Sequence, residues 1–378
     1  MLIYWIILGI LFVGGIYDVV GTDKKIKRRA YVGALILLGI FFGTRGFIGW
    51  DWYHYYPSFM EEKYIYEPGY MALSRSIGRI YKNYNFFVFI NSAIDFVAIY
   101  FIFKKWSKYP ILTLALYFGI QGIPMEVDLM RNIKSILLFL FSLEYIERRK
   151  PIPFILLNGL GILFHGSSAI YLPMYFILNR KWDKRFILGL FILGNIYYLL
   201  NPKFIIGGFE LLGRGLGGSW EDKILGYLSV IPRELENEVT FFYLERIVLF
   251  AFAFTVSKNE IIKNSVYVWI FIFLFTSEIS IASVRIGILF VYSCWFLLSE
   301  IPSVVNTRIE KEIGVALAIS IALFRFYNHV SFPGNQMVYP YENIFIGKNG
   351  SYEERSQILI EARKTVGDAH GKELLLQY

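Results

Sequence analysis

The chain has 378 residues, 56% of them hydrophobic, 19% aromatic and only 18% charged, with a mean hydropathy of +0.49. Soluble domains carry about a quarter charged residues, so the composition excludes an ordinary soluble protein and points to a polytopic membrane chain. The net charge of +8 does not indicate a nucleic-acid partner, because Lys and Arg fall in short clusters between apolar blocks, as the positive-inside rule places them.

In chain order, apolar blocks predict an all-α bundle of about 11–12 spans, near residues 2–20, 30–48, 86–103, 110–126, 131–146, 153–164, 167–178, 186–200, 241–257, 266–284, 285–299 and 313–328. The first block has no basic lead and no small-residue cleavage site, so it reads as a retained helix rather than a signal peptide. Lys24, Lys25, Lys27, Arg28 and Arg29, then Lys104, Lys105 and Lys108, then Arg148, Arg149 and Lys150 all fall inside by alternation, with the N-terminus outside. Residues 153–178 are long enough for one crossing. Basic clusters on both sides, Arg148–Lys150 and Arg180 with Lys181, favour a hairpin with His165-Gly166-Ser167-Ser168 at its tip.

That topology puts residues 49–85, 201–240 and the segment after 329 outside. Within the first of these, Met71, Leu73, Ile77 and Ile80 alternate with Ser74, Arg75, Ser76 and Arg79, which predicts an amphipathic helix along the outer interface. Residues 1–345 read as a single transmembrane domain and 346–378 as a polar tail, either an exposed helix or frayed. Cys294 is the lone cysteine, so neither an intrachain disulfide nor a thiolate zinc site is available.

Six clusters of polar residues fall on the expected outer face. RGFIGWDWYHYY, residues 45–56, offers Arg45 as a cation for an anionic ligand and Asp51 as a carboxylate for proton work, although a snorkelling Arg beside an aromatic belt explains the same residues. EPGY contributes Glu67 and Tyr70 at the start of the helix that bears Arg75. EVDLMRNIKS places Arg131 and Lys134 three apart on one helical face, where they could grip a diphosphate together. Glu126 and Asp128 in the same stretch are weak candidates for a divalent ion, since such ions need more oxygen ligands. FHGSS sets His165, the side chain best suited to take a proton near neutral pH, among small residues.

Gly213, Gly215 and Gly218 spell GxGxxG, but no βαβ unit surrounds them. Arg214 and Trp220 there suit a mobile loop over a lipid or sugar site better than a dinucleotide fold. Arg285 stands at the junction of two apolar blocks, with Glu278 one or two turns earlier as a possible partner. NHVSFPGNQMVYPYEN, residues 328–343, is a Pro- and Gly-rich aromatic loop with His329, Tyr339 and Tyr341.

Arg45 with Asp51, EPGY at 67–70, Arg131 opening a helix, FHGSSA at 164–169 and YPYEN near the C-terminus occur in an order that resembles the EpsG family of Wzy-like bacterial polysaccharide polymerases. The resemblance covers most of residues 1–345. It implies a multispanning inner-membrane enzyme of the GT-C type that joins repeat units carried on undecaprenyl diphosphate, as both donor and acceptor, into O-antigen, capsule or exopolysaccharide outside the cytoplasm. Carried over by position, Arg45, Arg131 and Arg285 would bind diphosphate, and Asp51 or His165 would activate the acceptor hydroxyl. Lys134, Glu67, Tyr70, Arg75, Arg214 and Trp220 complete the candidate substrate-binding set. A chain-length regulator is an expected partner beside membrane lipid. The chain lacks a DxD motif, and no cofactor is expected. A lipid-linked oligosaccharide flippase would also carry cations in a lipid-facing cavity, yet no repeated halves are visible. A membrane acyltransferase would keep its histidine near a buried acyl-donor channel.

Overall fold

The computed structural model describes residues 1–218, 222, 238–305, 307–346 and 350–368. Among these the chain is helical without strands, apart from an isolated antiparallel bridge between Arg45 and Asn343. Leu2–Val20, Tyr84–Trp106, Pro110–Val127 and Arg308–Ser331 are long and apolar enough to cross a membrane. Two bent pairs, Lys184–Leu200 with Phe204–Gly215 and Ser283–Phe290 with Tyr292–Val304, raise the number to six. The architecture is therefore an all-α, multi-pass bundle.

Several expected spans are helices of a different kind. Lys24–Gly43 opens with a basic turn and ends before Arg45, so residues 44–48 lie outside it. Met130–Glu147 carries Arg131, Lys134, Glu144 and Glu147, while Phe241–Thr255 and Glu260–Thr276 have 15 and 17 residues.

Two compact units are present, Met1–Asn179 with Leu298–Asp368, and Arg180–Leu297. In the first, Leu2–Val20 buries Tyr4, Ile7, Leu8, Leu11 and Phe12 on one stripe at helical spacing and leaves Leu2, Ile6, Ile10 and Val13 exposed. A helix that is apolar on both faces suits contact with protein on one side and hydrocarbon on the other. Helix starts carry side-chain caps: Asp23 accepts from the Lys25 and Ile26 amides, and Asn83 accepts from that of Phe86.

Pro110–Val127 widens into a π turn at Phe118–Gly122, the kind of irregularity that often sits near function. Tyr70, Met71, Ser74 and Ile77 form the buried face of Pro68–Ile80. The sequence pattern had assigned Leu73 and Ile80 to that face and Ser74 to the opposite one. Instead Ile80 is exposed, because the helix presents its 70/74/77 stripe to its neighbours.

Residues 151–179 fold back on themselves. Pro151–Ile162 rises only about 18 Å, short of a ~30 Å hydrocarbon core. The return leg is a 3-10 segment, Gly166–Tyr171, then one α-turn, Met174–Ile177, in place of the continuous helix expected over 167–178. The two legs close at one end: Asn179 Nδ2 donates to the Ile146 carbonyl at 3.0 Å, and Arg149 Nη2 donates to the Asn179 carbonyl at 2.8 Å. The segment is thus a hairpin with His165 at its far end.

After residue 350 the chain forms a helix, Tyr352–Asp368, with Leu359 and Ala362 buried. Arg355 anchors it, pairing with Glu342 at 3.1 Å and donating to the Phe47 carbonyl at 3.0 Å.

In the second unit, Phe191 stacks on Phe250 with centroids 3.6 Å apart, and the Arg246 guanidinium lies 3.9 Å from the Phe273 ring. Glu278 accepts from the amides of Ile205 and Ile206 and from the Tyr197 hydroxyl, so it caps the helix Phe204–Leu216.

Candidate functional site

The loop between Lys24–Gly43 and Trp52–Glu61 is held by the far C-terminal segment. Gly46 N–H donates to the Glu342 carbonyl at 2.9 Å, Gly49 N–H to that of Val338 at 2.7 Å, and Ile344 N–H to that of Thr44 at 2.9 Å. Asp128 closes the loop from another side, its Oδ1 accepting from the Trp50 amide at 2.6 Å and the Asp51 amide at 3.1 Å while the Tyr339 hydroxyl donates to Oδ2. Trp50 Nε1 donates to Asn335 Oδ1 at 3.1 Å. Gly49 is required here: its φ is +88°, and a Cβ would stand 2.4 Å from Asp128 Oδ1. Burial, and then the charge of Asp51, raise the Asp128 carboxyl above the usual range.

Beside this loop lies a half-buried polar cluster. Arg131, in the first turn of Met130–Glu147, pairs with Glu67 through Nη1 and Oε2 at 2.6 Å, with the two side chains 21% and 26% exposed. Its guanidinium lies 4.1 Å from the Tyr66 ring centroid and 6.0 Å from that of Tyr55. Rings at that range attract a cation. The other Glu67 oxygen, Oε1, accepts from Gly166 N–H at 3.4 Å, which ties the EPGY turn to the hairpin tip. A second tie runs from Gly69 N–H to the Leu163 carbonyl at 2.8 Å, and a Cβ at Gly69 would meet that oxygen at 2.8 Å.

Burial alone would raise the Glu67 carboxyl; its own backbone amide and the Arg131 charge outweigh this and hold it below the usual carboxylate range. Tyr70 is 1% exposed, against Tyr55 and Tyr66, and its hydroxyl has no hydrogen-bond partner among the described residues. His165 is close enough for its charge to act on Glu67. Its Nδ1 accepts from Ser167 N–H at 3.3 Å and lies 2.6 Å from Ser167 Oγ. Nδ1 is thus engaged by Ser167.

The other candidates lie elsewhere. Arg45 is 4% exposed and turned inward, donating to the carbonyls of Phe42 at 2.6 Å and Glu126 at 2.7 Å and to Ser92 Oγ at 3.2 Å. Lys134, also 4% exposed, is buried in an ion pair with Asp95 at 2.5 Å, not beside Arg131. Arg75 pairs with Glu62 at 2.9 Å on the surface. Arg214 and Arg285 are exposed residues of the second unit, and Trp220 falls outside the described residues. Glu278 caps a helix rather than pairing with Arg285 as the sequence spacing allowed.

Glu126 and Asp128 diverge, the former accepting from the Tyr117 hydroxyl at 2.6 Å and the latter serving the loop. Among the described residues no three His, Cys, Asp or Glu side chains are grouped to hold a metal ion. Sequence reasoning passed over Tyr66, which forms the floor under Arg131, and Asn335, which links Trp50 to the His329 backbone carbonyl at 2.8 Å. Tyr66 directly precedes the EPGY motif, and that adjacency was the available signal.

Fold and site together define a multi-pass α-helical membrane protein whose cation, carboxylate, imidazole and aromatic rings gather from distant parts of the chain. The chain belongs to the EpsG family, whose model matches residues 29–343. Membership suggests a polysaccharide polymerase of the glycosyltransferase type, acting in general on lipid-linked oligosaccharide. No curated protein and no solved structure matches the chain.

Proposed function

We propose that the protein polymerises oligosaccharide repeat units carried on undecaprenyl diphosphate into O-antigen, capsule or exopolysaccharide at the outer face of the bacterial inner membrane. The observation that carries this reading is the gathering of Arg131, Glu67, His165 and the Tyr55, Tyr66 and Tyr70 rings at one half-buried place. Polymerisation transfers the growing glycan from its lipid diphosphate to a hydroxyl of the next unit. The departing diphosphate gains charge as the glycosidic bond breaks, and a guanidinium held on tyrosine rings stabilises it. The acceptor hydroxyl needs a base within hydrogen-bond reach. The partly accessible Tyr66 ring offers a face for a sugar ring.

In this reading Arg131 is the diphosphate cation. Arg45 and Lys134 are engaged inside the bundle with main-chain carbonyls and Asp95, and Arg285 is a further cation of the second unit. The motifs that resemble the family offer Asp51 or His165 as candidates for handling the acceptor proton. A chain-length regulator would act from outside the chain.

The test is the lipid-linked oligosaccharide pool of a strain lacking the protein. Single repeat units should accumulate on the outer leaflet while long polymer disappears. Retention of those units on the inner leaflet would instead establish a flippase.

A further inference from the structure

We infer that Glu67 is the base that takes the acceptor proton, and that Arg131 keeps it latched until a lipid diphosphate draws the guanidinium away. This rests on the polymerase reading above. Arg131 Nη1 and Glu67 Oε2 lie 2.6 Å apart, and both side chains keep about a quarter of their surface open. Among the described residues the remaining carboxylate oxygen has only the long 3.4 Å contact from Gly166 N–H, so Arg131 is the one strong side-chain partner of the carboxylate. A diphosphate carries more charge than a carboxylate and accepts the planar guanidinium fork at two oxygens, so it competes for Arg131 on favourable terms.

The tyrosine rings at 4.1 and 6.0 Å would keep the guanidinium in place as it changes partners. Glu67 is then left half-buried beside a new anion. Its burial, until then outweighed by its own backbone amide together with Arg131, is now opposed by that amide alone, so the balance moves toward the protonated form, and a carboxylate driven that way is a stronger base. The rival base is already engaged, because His165 Nδ1 lies against the amide and hydroxyl of Ser167.

The step balances without a further reactant. The acceptor oxygen forms a bond to the anomeric carbon, the carbon–oxygen bond to the diphosphate breaks with its electron pair leaving on the lipid diphosphate, and the hydroxyl proton moves to Glu67. The latch couples release of the base to arrival of the donor.

The test compares purified wild-type protein with Glu67→Gln, Glu67→Asp, Asp51→Asn and Arg131→Ala. Binding is read with a short-chain polyprenyl diphosphate in detergent, and transfer with lipid-linked repeat units in a single turnover. Glu67→Gln should bind the diphosphate as tightly as wild type or more tightly, since the competing carboxylate is gone, while transfer falls by about 10²–10⁴-fold. Glu67→Asp should restore part of the rate and shift the acid limb of the rate–pH profile. Arg131→Ala should lose both binding and transfer.

The inference is overturned if Glu67→Gln transfers within a few-fold of wild type, or if it loses binding together with rate, as an anchor for Arg131 would. It is equally overturned if Asp51→Asn rather than Glu67→Asp moves the acid limb. Wild-type protein that binds the diphosphate but transfers nothing would sink the polymerase reading itself. If Glu67→Gln does not fold, the Glu67→Asp profile decides alone.

Discussion

Replacing Lys134 by methionine separates two roles that one lysine could have. If it grips a diphosphate beside Arg131, its loss should weaken substrate handling and spare the fold. The structure instead seals Nζ against Asp95 at 2.5 Å, with the two side chains 4% and 3% exposed, and Asp95 Oδ1 has no hydrogen-bond partner. Removing the lysine leaves a carboxylate in a dry interior without its cation, a change that costs about 3–5 kcal/mol. Replacing both partners, as Lys134→Met with Asp95→Leu, removes the stranded charge, and such apolar exchanges are neutral or stabilising by up to ~4 kcal/mol.

The expected result is therefore a severely destabilised single variant and a double variant within about 1 kcal/mol of wild type, a strong coupling between the two sites. SDS titration in mixed micelles, followed by tryptophan fluorescence, reads both, and polymer length in cells reads function. The double variant should still make long polymer, because neither residue touches the Arg131 cluster. A stable Lys134→Met protein that fails to elongate, or a double variant no better than the single, would refute the argument and return Lys134 to the substrate.

Gly49→Ala should shorten the polymer and lower stability by about 1–3 kcal/mol, the usual cost of forcing a side chain into such a backbone conformation; the φ of +88° and the 2.4 Å approach to Asp128 locate the strain. Native-like chain length and stability would show that the Asp128 loop yields easily. Arg131→Lys keeps the charge but loses the planar fork and its stacking on Tyr66, so elongation should drop at least about tenfold at normal protein levels. Full activity would mean that a point charge suffices. The Glu67 carboxyl is held below its ordinary value of 4.5, so its pairing stabilises the fold fully above that value and ceases to do so as pH falls through the lower folded-state value. Thermal midpoints measured from about pH 6 to about pH 3 should therefore fall less steeply for Glu67→Gln than for wild type; parallel curves would contradict this. His165→Ala should abolish elongation without lowering protein levels, as read from polymer length and immunoblots.

Helical class, multi-pass character and the hairpin at 151–179 were legible because each depends on composition over a window. A run of apolar residues reports its environment, and basic clusters report which ends lie together. Individual cations were less transparent. Arg45, Arg131 and Lys134 are all cations at the edges of apolar blocks, yet one donates to main-chain carbonyls, one sits half-open on tyrosines and one is locked to Asp95. The difference lies in partners 39 to 81 positions away, which no local pattern encodes. For the segment after 350 the sequence left an exposed helix and a frayed tail both open, for a related reason. Its buried side consists of little more than Leu359, Ala362 and the anchoring Arg355, too sparse to stand out as a stripe in a charged segment.

The helix break at FHGSS shows how such distant partners are chosen. A helix that stops inside a packed bundle leaves carbonyls and amides without their intrahelical partners, and these must be satisfied or be lost as stability. Here the Leu163 carbonyl takes Gly69 N–H, and Gly166 N–H reaches Glu67 Oε1, so both orphaned groups are met by the same Glu67-Pro68-Gly69 turn. Proline at 68 contributes no donor of its own and glycine at 69 allows the close approach, which makes EPGY a fitting counterpart to a broken helix. The carboxylate beneath Arg131 is thus placed by a backbone requirement, and the same break that exposes His165 delivers Glu67 to the cation.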